Sequence, residues 1–185
     1  MRGIRQQIHW HQNPQYCFAV EPDIVLNSNW RRNFALLQDY NWCFELQVFA
    51  SQMRNAAKLA AEFREIPMIL QHCGMPEDNS MTGMAFWLEG IKFLADQPNV
   101  FCKFSGLGTF LRQNSTDFIS DVTGHCLELF GANRCIYGSN FPIEKIWTPY
   151  SNLINSYFQS LFGLSRLEQK RIFYSNAKEV YKINI

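Results

Sequence analysis

The stretch CIYGSNFPIEK, Cys135–Lys145, has two possible interpretations, and the other strands of the sequence distinguish them. An apolar run typical of a buried strand ends at Gly138-Ser139-Asn140, and Pro142 then prevents a helix from beginning at once. This ending is compatible with an ordinary turn from a strand into a loop. It is equally compatible with Asn140 being held at the edge of a sheet, where a polar side chain can contact a ligand. The choice depends on what the other strands carry at the same end.

Short apolar runs alternate with amphipathic segments along the whole chain. The runs predict five strands, near residues 2–6, 43–48, 67–72, 100–105 and 134–138. The intervening segments carry apolar residues at helical spacing, as Trp30, Phe34 and Leu37 show. Strands that alternate with helices predict βαβ units and a parallel sheet covered by helices. Two closures fit about five such units: an open doubly wound sheet of the flavodoxin type, and part of a (β/α)8 barrel.

Each predicted strand carries a polar or ionisable residue near its carboxyl end. In parallel α/β folds this end is the edge where ligands bind, so five such residues indicate a shared site. The residues are Arg5, Gln47, His72, Lys103 and Asn140. No glycine-rich phosphate-binding motif follows any of the strands, which disfavours a nucleotide crevice and with it the flavodoxin-type sheet.

Each of these residues also has a purely structural interpretation. A histidine at a strand end, such as His72, is more often a hydrogen-bonded packing residue than a catalyst. Lys103 can extend to solvent, and Arg5 can form a buried ion pair with Glu45 that joins two strands. The sequence His9-Trp10-His11 could place two imidazoles on one side of an extended segment as metal ligands, but its polar surroundings favour a loop edge.

Composition places the chain among globular proteins, and we expect residues 1–185 to form a single domain. The chain has 185 residues, of which 47% are hydrophobic and 15% are aromatic. A net charge of +1 argues against nucleic-acid binding, and no apolar run approaches the ~20 residues of a membrane span. Six cysteines without a CxxC pair, and a start without the apolar core of a signal peptide, predict reduced thiols in a cytoplasmic protein.

Several segments, in their order along the chain, resemble one known family. The segments are RGIRQQIHWH, FELQVFASQM, PMILQHCGMP, NVFCKFSGLG, CIYGSNFPIEK and SNAKEVY. Together they are similar to the amidohydrolase-related family of the metallo-dependent hydrolase superfamily. The similarity is to the branch that includes sugar-lactone and 2-pyrone-4,6-dicarboxylate lactonases, and it covers nearly the whole chain. The resemblance implies a TIM-like (β/α)8 barrel with hydrolase activity.

The resemblance also implies roles for individual residues. Arg5 matches the position that binds a substrate carboxylate, and His72 matches the histidine that polarises the scissile carbonyl or ligates a metal. Asn140 lies where most relatives carry the aspartate that activates water. Glu144, in the same loop, is the nearest carboxylate that could act in its place. The further candidates for substrate contact are Gln47, Lys103, Ser139 and His11.

Two features depart from the family pattern. No Asp-x-His-x-His-type motif precedes the Gly-Ile-Arg strand, so we expect about the last five units of a barrel, without its first strands. Asn140 stands in place of an aspartate, and an amide cannot accept a proton at neutral pH. We therefore expect no metal site and no tight zinc binding in this chain, and a divalent metal such as zinc only in a full-length form. Missing strands would also leave both sheet edges unpaired and expose the inner face of the sheet near Phe44 and Ile69.

The sequence therefore predicts a hydrolase that cleaves a lactone, or a related ester or amide, in a small anionic substrate. Arg5 would anchor the anion, His72 would polarise the carbonyl, and Asn140 would bind a substrate oxygen or the attacking water. The alternative is a non-catalytic barrel fragment that binds a small anion or associates with another chain. For such a fragment we expect self-association through the exposed sheet edges.

Overall fold

The computed structural model describes residues 1–184, which form a five-stranded sheet with helices packed against it. The strands are β1 (Gly3–Gln7), β2 (Cys43–Gln47), β3 (Met68–Leu70), β4 (Val100–Phe104) and β5 (Cys135–Tyr137). The helices are α1 (Ser28–Asp39), α2 (Ala50–Glu62), α3 (Met81–Ala95), α4 (Gly108–Leu111), α5 (Thr116–Phe130), α6 (Tyr150–Ser160), α7 (Arg166–Lys170) and α8 (Asn176–Val180). None of the helices in this part of the chain has the length and hydropathy needed to cross a membrane.

The strands are paired in chain order, β1-β2-β3-β4-β5, and every pair is parallel. Each strand overlaps a stretch predicted from the sequence, so that prediction is confirmed. A doubly wound sheet reverses its strand order at one point, whereas successive strands of a (β/α)8 barrel lie side by side in chain order. The sheet has no reversal. The flavodoxin-type alternative is therefore wrong, and the described residues form an open segment of a TIM-like barrel with five β/α units.

The outer face of the sheet carries the main hydrophobic core. Side chains that alternate along the strands, such as Phe44 and Leu46 on β2 and Cys102 and Phe104 on β4, are buried against the helices. Met53 of α2 is fully buried in the same core. Removal of this apolar surface from water is the main favourable contribution to folding. Since the strands are anchored on this face, the side chains of the inner face are held at fixed positions.

The inner face of the sheet is covered by the carboxyl-terminal segment of the same chain. Cys43, Ile69 and Ile136 on this face are buried in a second cluster with Val180 of α8, and Tyr181 packs against that cluster. The expectation that the sheet would be exposed near Phe44 and Ile69 is therefore wrong. The end of the chain covers Ile69, and Phe44 is buried in the core on the outer face.

The amino-terminal edge of the sheet remains exposed. β1 pairs with β2 on one side only within the described residues. Ile4 on β1 is 39% exposed, and it lines an apolar groove of about 320 Å³ together with Trp30, Phe34 and Phe44. An unpaired strand beside an apolar groove is a surface on which a second strand can add.

We propose that the isolated chain self-associates through this edge. Light scattering on the purified chain is expected to show species larger than the 21.7 kDa monomer. Ile4→Lys, which places a charge beside the groove, is expected to shift the distribution toward monomer severalfold. Val20→Lys is the control, because Val20 is 91% exposed and lies outside the groove. A monodisperse wild-type monomer would contradict the proposal.

Candidate active site

A cavity of about 490 Å³ opens at the carboxyl end of the sheet. Four of the predicted site residues line it: Arg5, Gln47, His72 and Asn140. They lie on or directly after β1, β2, β3 and β5, so the parallel arrangement of the strands brings them to one edge. The convergence of these four side chains makes this cavity the candidate site.

His72 enters the cavity from a left-handed turn that follows β3. His72, Cys73, Gly74 and Met75 all have positive φ angles, between 51° and 73°. Each non-glycine residue in this conformation costs roughly 1–2 kcal/mol, so surrounding contacts must stabilise the turn. One such contact is the hydrogen bond from Trp87 Nε1 to the carbonyl oxygen of Cys73, 2.7 Å long. The turn places His72 in the cavity and Cys73 in the core on the other side of the sheet.

The imidazole of His72 is neutral at physiological pH. Burial, reinforced by the positive charges of Arg5 and Lys103, lowers the pKa of His72 to about 4. Its Nδ1 lies 2.9 Å from Ser105 Oγ. When Ser105 donates to Nδ1, the ring proton is on Nε2 and can be donated to a ligand. When Nδ1 carries the proton and donates to Ser105, Nε2 is an acceptor or a metal ligand.

Four side chains form a charged network next to the cavity, which we call the floor network: Arg5, Glu45, Lys103 and Tyr181. Glu45 accepts hydrogen bonds from Arg5, from Lys103 Nζ at 3.3 Å and from Tyr181 Oη at 2.6 Å. Burial by itself would raise the pKa of Glu45, but Tyr181, Lys103 and Arg5 together hold that pKa below its usual value. Two cations and one carboxylate leave one net positive charge at this end of the cavity.

Gly138, which ends the apolar run of β5, leaves space for Lys103. A Cβ atom at position 138 would lie 2.9 Å from Lys103 Cε. A larger residue at position 138 would therefore require the end of the Lys103 side chain to shift. This contact gives a physical reason for the glycine before Ser139 and Asn140.

Asn140 has a fixed orientation because a buried carboxylate holds its amide. Its backbone is in the left-handed region, with φ of 54°, and its Nδ2 donates to Glu144 Oε1 at 3.4 Å. Glu144 is fully buried and also accepts hydrogen bonds from Thr109 Oγ1, 3.2 Å, and Asn114 Nδ2, 2.7 Å. Since the amide nitrogen is directed to Glu144, Asn140 offers its Oδ1 oxygen to the cavity as an acceptor.

The other predicted site residues lie outside the lining of the cavity. Lys103 is in the floor network, and Glu144 lies behind Asn140. Ser139 Oγ accepts a hydrogen bond from the backbone N–H of Phe141, 3.2 Å, and so belongs to the turn. His11 lies in a separate, smaller recess, where its Nε2 is 3.6 Å from Glu77.

Two residues of the site were not predicted in these roles. His9 is 3% exposed and lines the cavity, and its Nδ1 has no hydrogen-bond partner in the described residues. Burial lowers the pKa of His9, so this imidazole is neutral as well. The sequence pattern His9-Trp10-His11 indicated His9 only as one of two metal ligands on the same side of an extended segment. The two imidazoles occupy different recesses, because β1 ends at Gln7 and the regular strand does not extend to them. No sequence pattern indicated that Tyr181 belongs to the site, because it is distant in sequence from every strand that it contacts.

The donors at the cavity do not complete a zinc site by themselves. Such a site takes three or four His, Cys or carboxylate ligands. The cavity offers the imidazoles of His9 and His72 and the amide oxygen of Asn140, while Glu45 and Glu144 are already hydrogen-bonded to other side chains. Within residues 1–184, one group of three potential ligands is close enough to share a cation, and it lies away from the cavity: Cys73, Cys102 and Cys126.

The close packing of Gly106 against His72 generates a test of this geometry. Gly106 has φ of +64°, and a Cβ atom there would lie 2.3 Å from His72 Nδ1. Gly106→Ala is therefore expected to destabilise the fold by about 2 kcal/mol or more and to displace the imidazole. Gly124→Ala on α5 is the control, since nothing lies within 4 Å of its added methyl group. This control is expected to be neutral or to stabilise the helix by up to about 1 kcal/mol. Denaturant unfolding measures both, and equal stability of the two variants would refute the packing argument.

Comparison with known proteins identifies the family. The family model described as amidohydrolase matches residues 1–183. The chain is 31% identical over 182 residues to an uncharacterized protein, y4mH, of Sinorhizobium fredii (strain NBRC 101917 / NGR234), which covers 98% of this chain and 61% of that protein. It is 26% identical over 199 residues to L-fucono-1,5-lactonase of Burkholderia multivorans (strain ATCC 17616 / 249). That match covers 99% of this chain and 63% of the lactonase. The chain thus spans about three fifths of the length of these curated relatives.

The fold is also that of solved amidohydrolase structures. An amidohydrolase from Burkholderia multivorans, crystallised with bound zinc, superposes with a TM-score of 0.87 at 23% identity, over 100% of this chain and 65% of that chain. The match of the family model to residues 1–183 shows that the chain belongs to the amidohydrolase family.

Proposed function

We propose that the protein hydrolyses a lactone, or a related ester or amide, in a small substrate that carries an anionic group. The proposal rests on one observation: Arg5, His72 and Asn140 converge on one cavity that has a net positive charge beside it. Membership of the amidohydrolase family and similarity to a protein named as a lactonase support it. Each group has a distinct part in this chemistry.

Arg5 is the proposed anchor for the anionic group. Its side chain is 41% exposed and lines the cavity, although it is paired with Glu45. Because Lys103 shares the same carboxylate, Glu45 does not cancel both cations. An arriving carboxylate can therefore bind the guanidinium without displacing Glu45, and a guanidinium matches the geometry of a carboxylate.

His72 is the proposed group that polarises the scissile carbonyl. With Ser105 as donor to Nδ1, Nε2–H can donate to the carbonyl oxygen and stabilise the negative charge that develops during attack. The imidazole of His72 stays neutral across the physiological pH range, since its pKa is about 4. The positive charge of the floor network acts on the same developing charge.

Asn140 is proposed to orient the attacking water, which can donate a hydrogen bond to its Oδ1. An amide does not accept the proton of that water, so the base has to be another group. Glu144 is the carboxylate nearest to Asn140 along the loop, and in the observed arrangement it positions the amide instead.

A second candidate function is non-catalytic binding of a small anion. It is favoured by the lining of the cavity, which contains no carboxylate base among residues 1–184. Arg5 and the positive charge of the floor network would serve such binding without turnover.

Binding and turnover distinguish the two functions. Calorimetry with 2-pyrone-4,6-dicarboxylate, and a hydrolysis assay with that lactone and with L-fucono-1,5-lactone, are carried out with and without Zn²⁺. Arg5→Met is expected to weaken dicarboxylate binding roughly tenfold or more through the loss of a charge-assisted pair. Arg54→Met is the control, because Arg54 is 61% exposed and pairs with Glu89 away from the cavity. His72→Gln is expected to lower turnover by about 100-fold.

Turnover that depends on His72 supports the hydrolase, whereas Arg5-dependent binding without turnover supports the binding function. Binding that Arg5→Met leaves unchanged would exclude the proposed anion anchor in both.

The low pKa of His72 predicts a pH dependence of stability. Between pH 6.5 and about 4 the unfolded chain binds a proton at this histidine that the folded chain does not, so the unfolding free energy falls as the pH falls. The unfolding free energy is not reduced by this histidine above pH 6.5. It falls by about 3 kcal/mol as the pH is lowered from 6.5 to about 4. His72→Gln should flatten the pH profile in this window. Denaturant titrations from pH 4 to 8 measure the profiles, and parallel curves for wild type and His72→Gln would contradict the assignment.

A further inference from the structure

Three cysteines from separate parts of the chain meet on the helix side of the sheet. Cys73 comes from the turn after β3, Cys102 from β4 and Cys126 from α5. Their sulfur atoms all lie within 4.8 Å of one another, and all three residues are fully buried. We call this group the thiol cluster. It lies on the opposite face of the sheet from the cavity, and the proposed hydrolysis does not use it.

The thiol cluster contains only sulfur donors. None of the three cysteines is in a disulfide. Cys73 Sγ donates weakly to the carbonyl oxygen of Lys103, at 3.6 Å. No histidine, aspartate or glutamate belongs to the group within residues 1–184. Thiolate donors without oxygen or nitrogen select Cu(I), zinc or iron–sulfur clusters, and Cu(I) is the softest of these cations.

The spacing of the sulfur atoms suits a three-coordinate cation. Metal–sulfur bonds of about 2.3 Å around a planar trigonal centre place the sulfurs about 4 Å apart. This separation is compatible with the observed limit of 4.8 Å, so a cation requires small side-chain adjustments and no movement of the strands. Structural zinc sites take four ligands. Cys135, the register partner of Cys102 on β5, is outside the group, so the cluster offers three.

We propose that Cys73, Cys102 and Cys126 form a trigonal site for one Cu(I) ion. Binding forms three copper–sulfur bonds, breaks at least one S–H bond and releases that proton to solvent, with no change in oxidation state.

Charge balance also favours a monovalent cation. All three thiols are fully buried, and the loss of one proton from the group leaves one negative charge. That charge balances the single charge of Cu(I), so the occupied site is compatible with a core that excludes water.

Occupation of the site also acts on the position of His72. Cys73 follows His72 in the same left-handed turn, and a metal–sulfur bond to Cys73 would restrain that turn. The two faces of the sheet are therefore connected through one peptide bond. This connection provides a readout that does not depend on hydrolytic activity.

The test is anaerobic incubation of the purified full chain with one equivalent of Cu(I), followed by desalting in the presence of a Cu(I) chelator. The wild type is expected to retain about one copper per chain and to show thiolate-to-copper charge-transfer absorption. Cys73→Ala and Cys126→Ala are expected to reduce retention at least tenfold. Cys135→Ala and Cys43→Ala are the matched controls, since both residues are buried cysteines of the same sheet outside the cluster, and they are expected to retain copper.

Copper-edge X-ray absorption on the wild type keeps the proposal testable should a variant fail to fold. Three sulfur neighbours, together with a shift of the His72 imidazole resonances on copper addition, would support the site. Nitrogen or oxygen neighbours, no retention by the wild type, or equal loss of copper in the Cys135→Ala control would overturn it.

Discussion

The hydrogen-bonded ion pairs of Glu45 are the interaction on which the arrangement of the inner face depends. Through this one carboxylate, Arg5 of β1, Lys103 of β4 and Tyr181 of the carboxyl-terminal segment are connected. A partly buried carboxylate without partners is costly, so the three donors and the acceptor stabilise one another's positions. Because Tyr181 also packs on the apolar inner cluster, the same segment covers the sheet and sets the charge beside the cavity. The core and the site are thus not independent parts of the molecule.

The turn after β3 imposes a second constraint, since it serves both faces of the sheet. A regular strand already alternates its side chains, but the left-handed turn stops β3 at Leu70 and redirects the next residues over a short distance. His72 thereby reaches Ser105 in the cavity, while Cys73 reaches Cys102 and Cys126 in the core. The backbone strain of this turn persists because packing on both sides determines it.

Asn140 combines a defined orientation with a neutral functional group, at the position where the family resemblance implies an aspartate. The amide is held by Glu144, which is itself held by Thr109 and Asn114, so these hydrogen bonds define its orientation. What changes is the chemistry, because an amide oxygen accepts hydrogen bonds but does not take up a proton at neutral pH. An aspartate at this position would place a second carboxylate close to Glu144, and the mutual repulsion of the two would have to be relieved.

The sequence by itself determined the strand positions, the parallel pairing and the four residues that line the cavity from strand ends. Apolar runs and helical spacing are local patterns, and parallel strands bring their carboxyl ends to one edge, so Arg5, Gln47, His72 and Asn140 could be placed together. The tertiary structure alone decided that Lys103 turns to Glu45, that Glu144 supports Asn140 from behind, that His9 and His11 separate, and that Tyr181 reaches Glu45 across 136 positions. These features depend on contacts between distant segments and on a non-repetitive turn, and no local periodicity of the sequence encodes which side chains then meet.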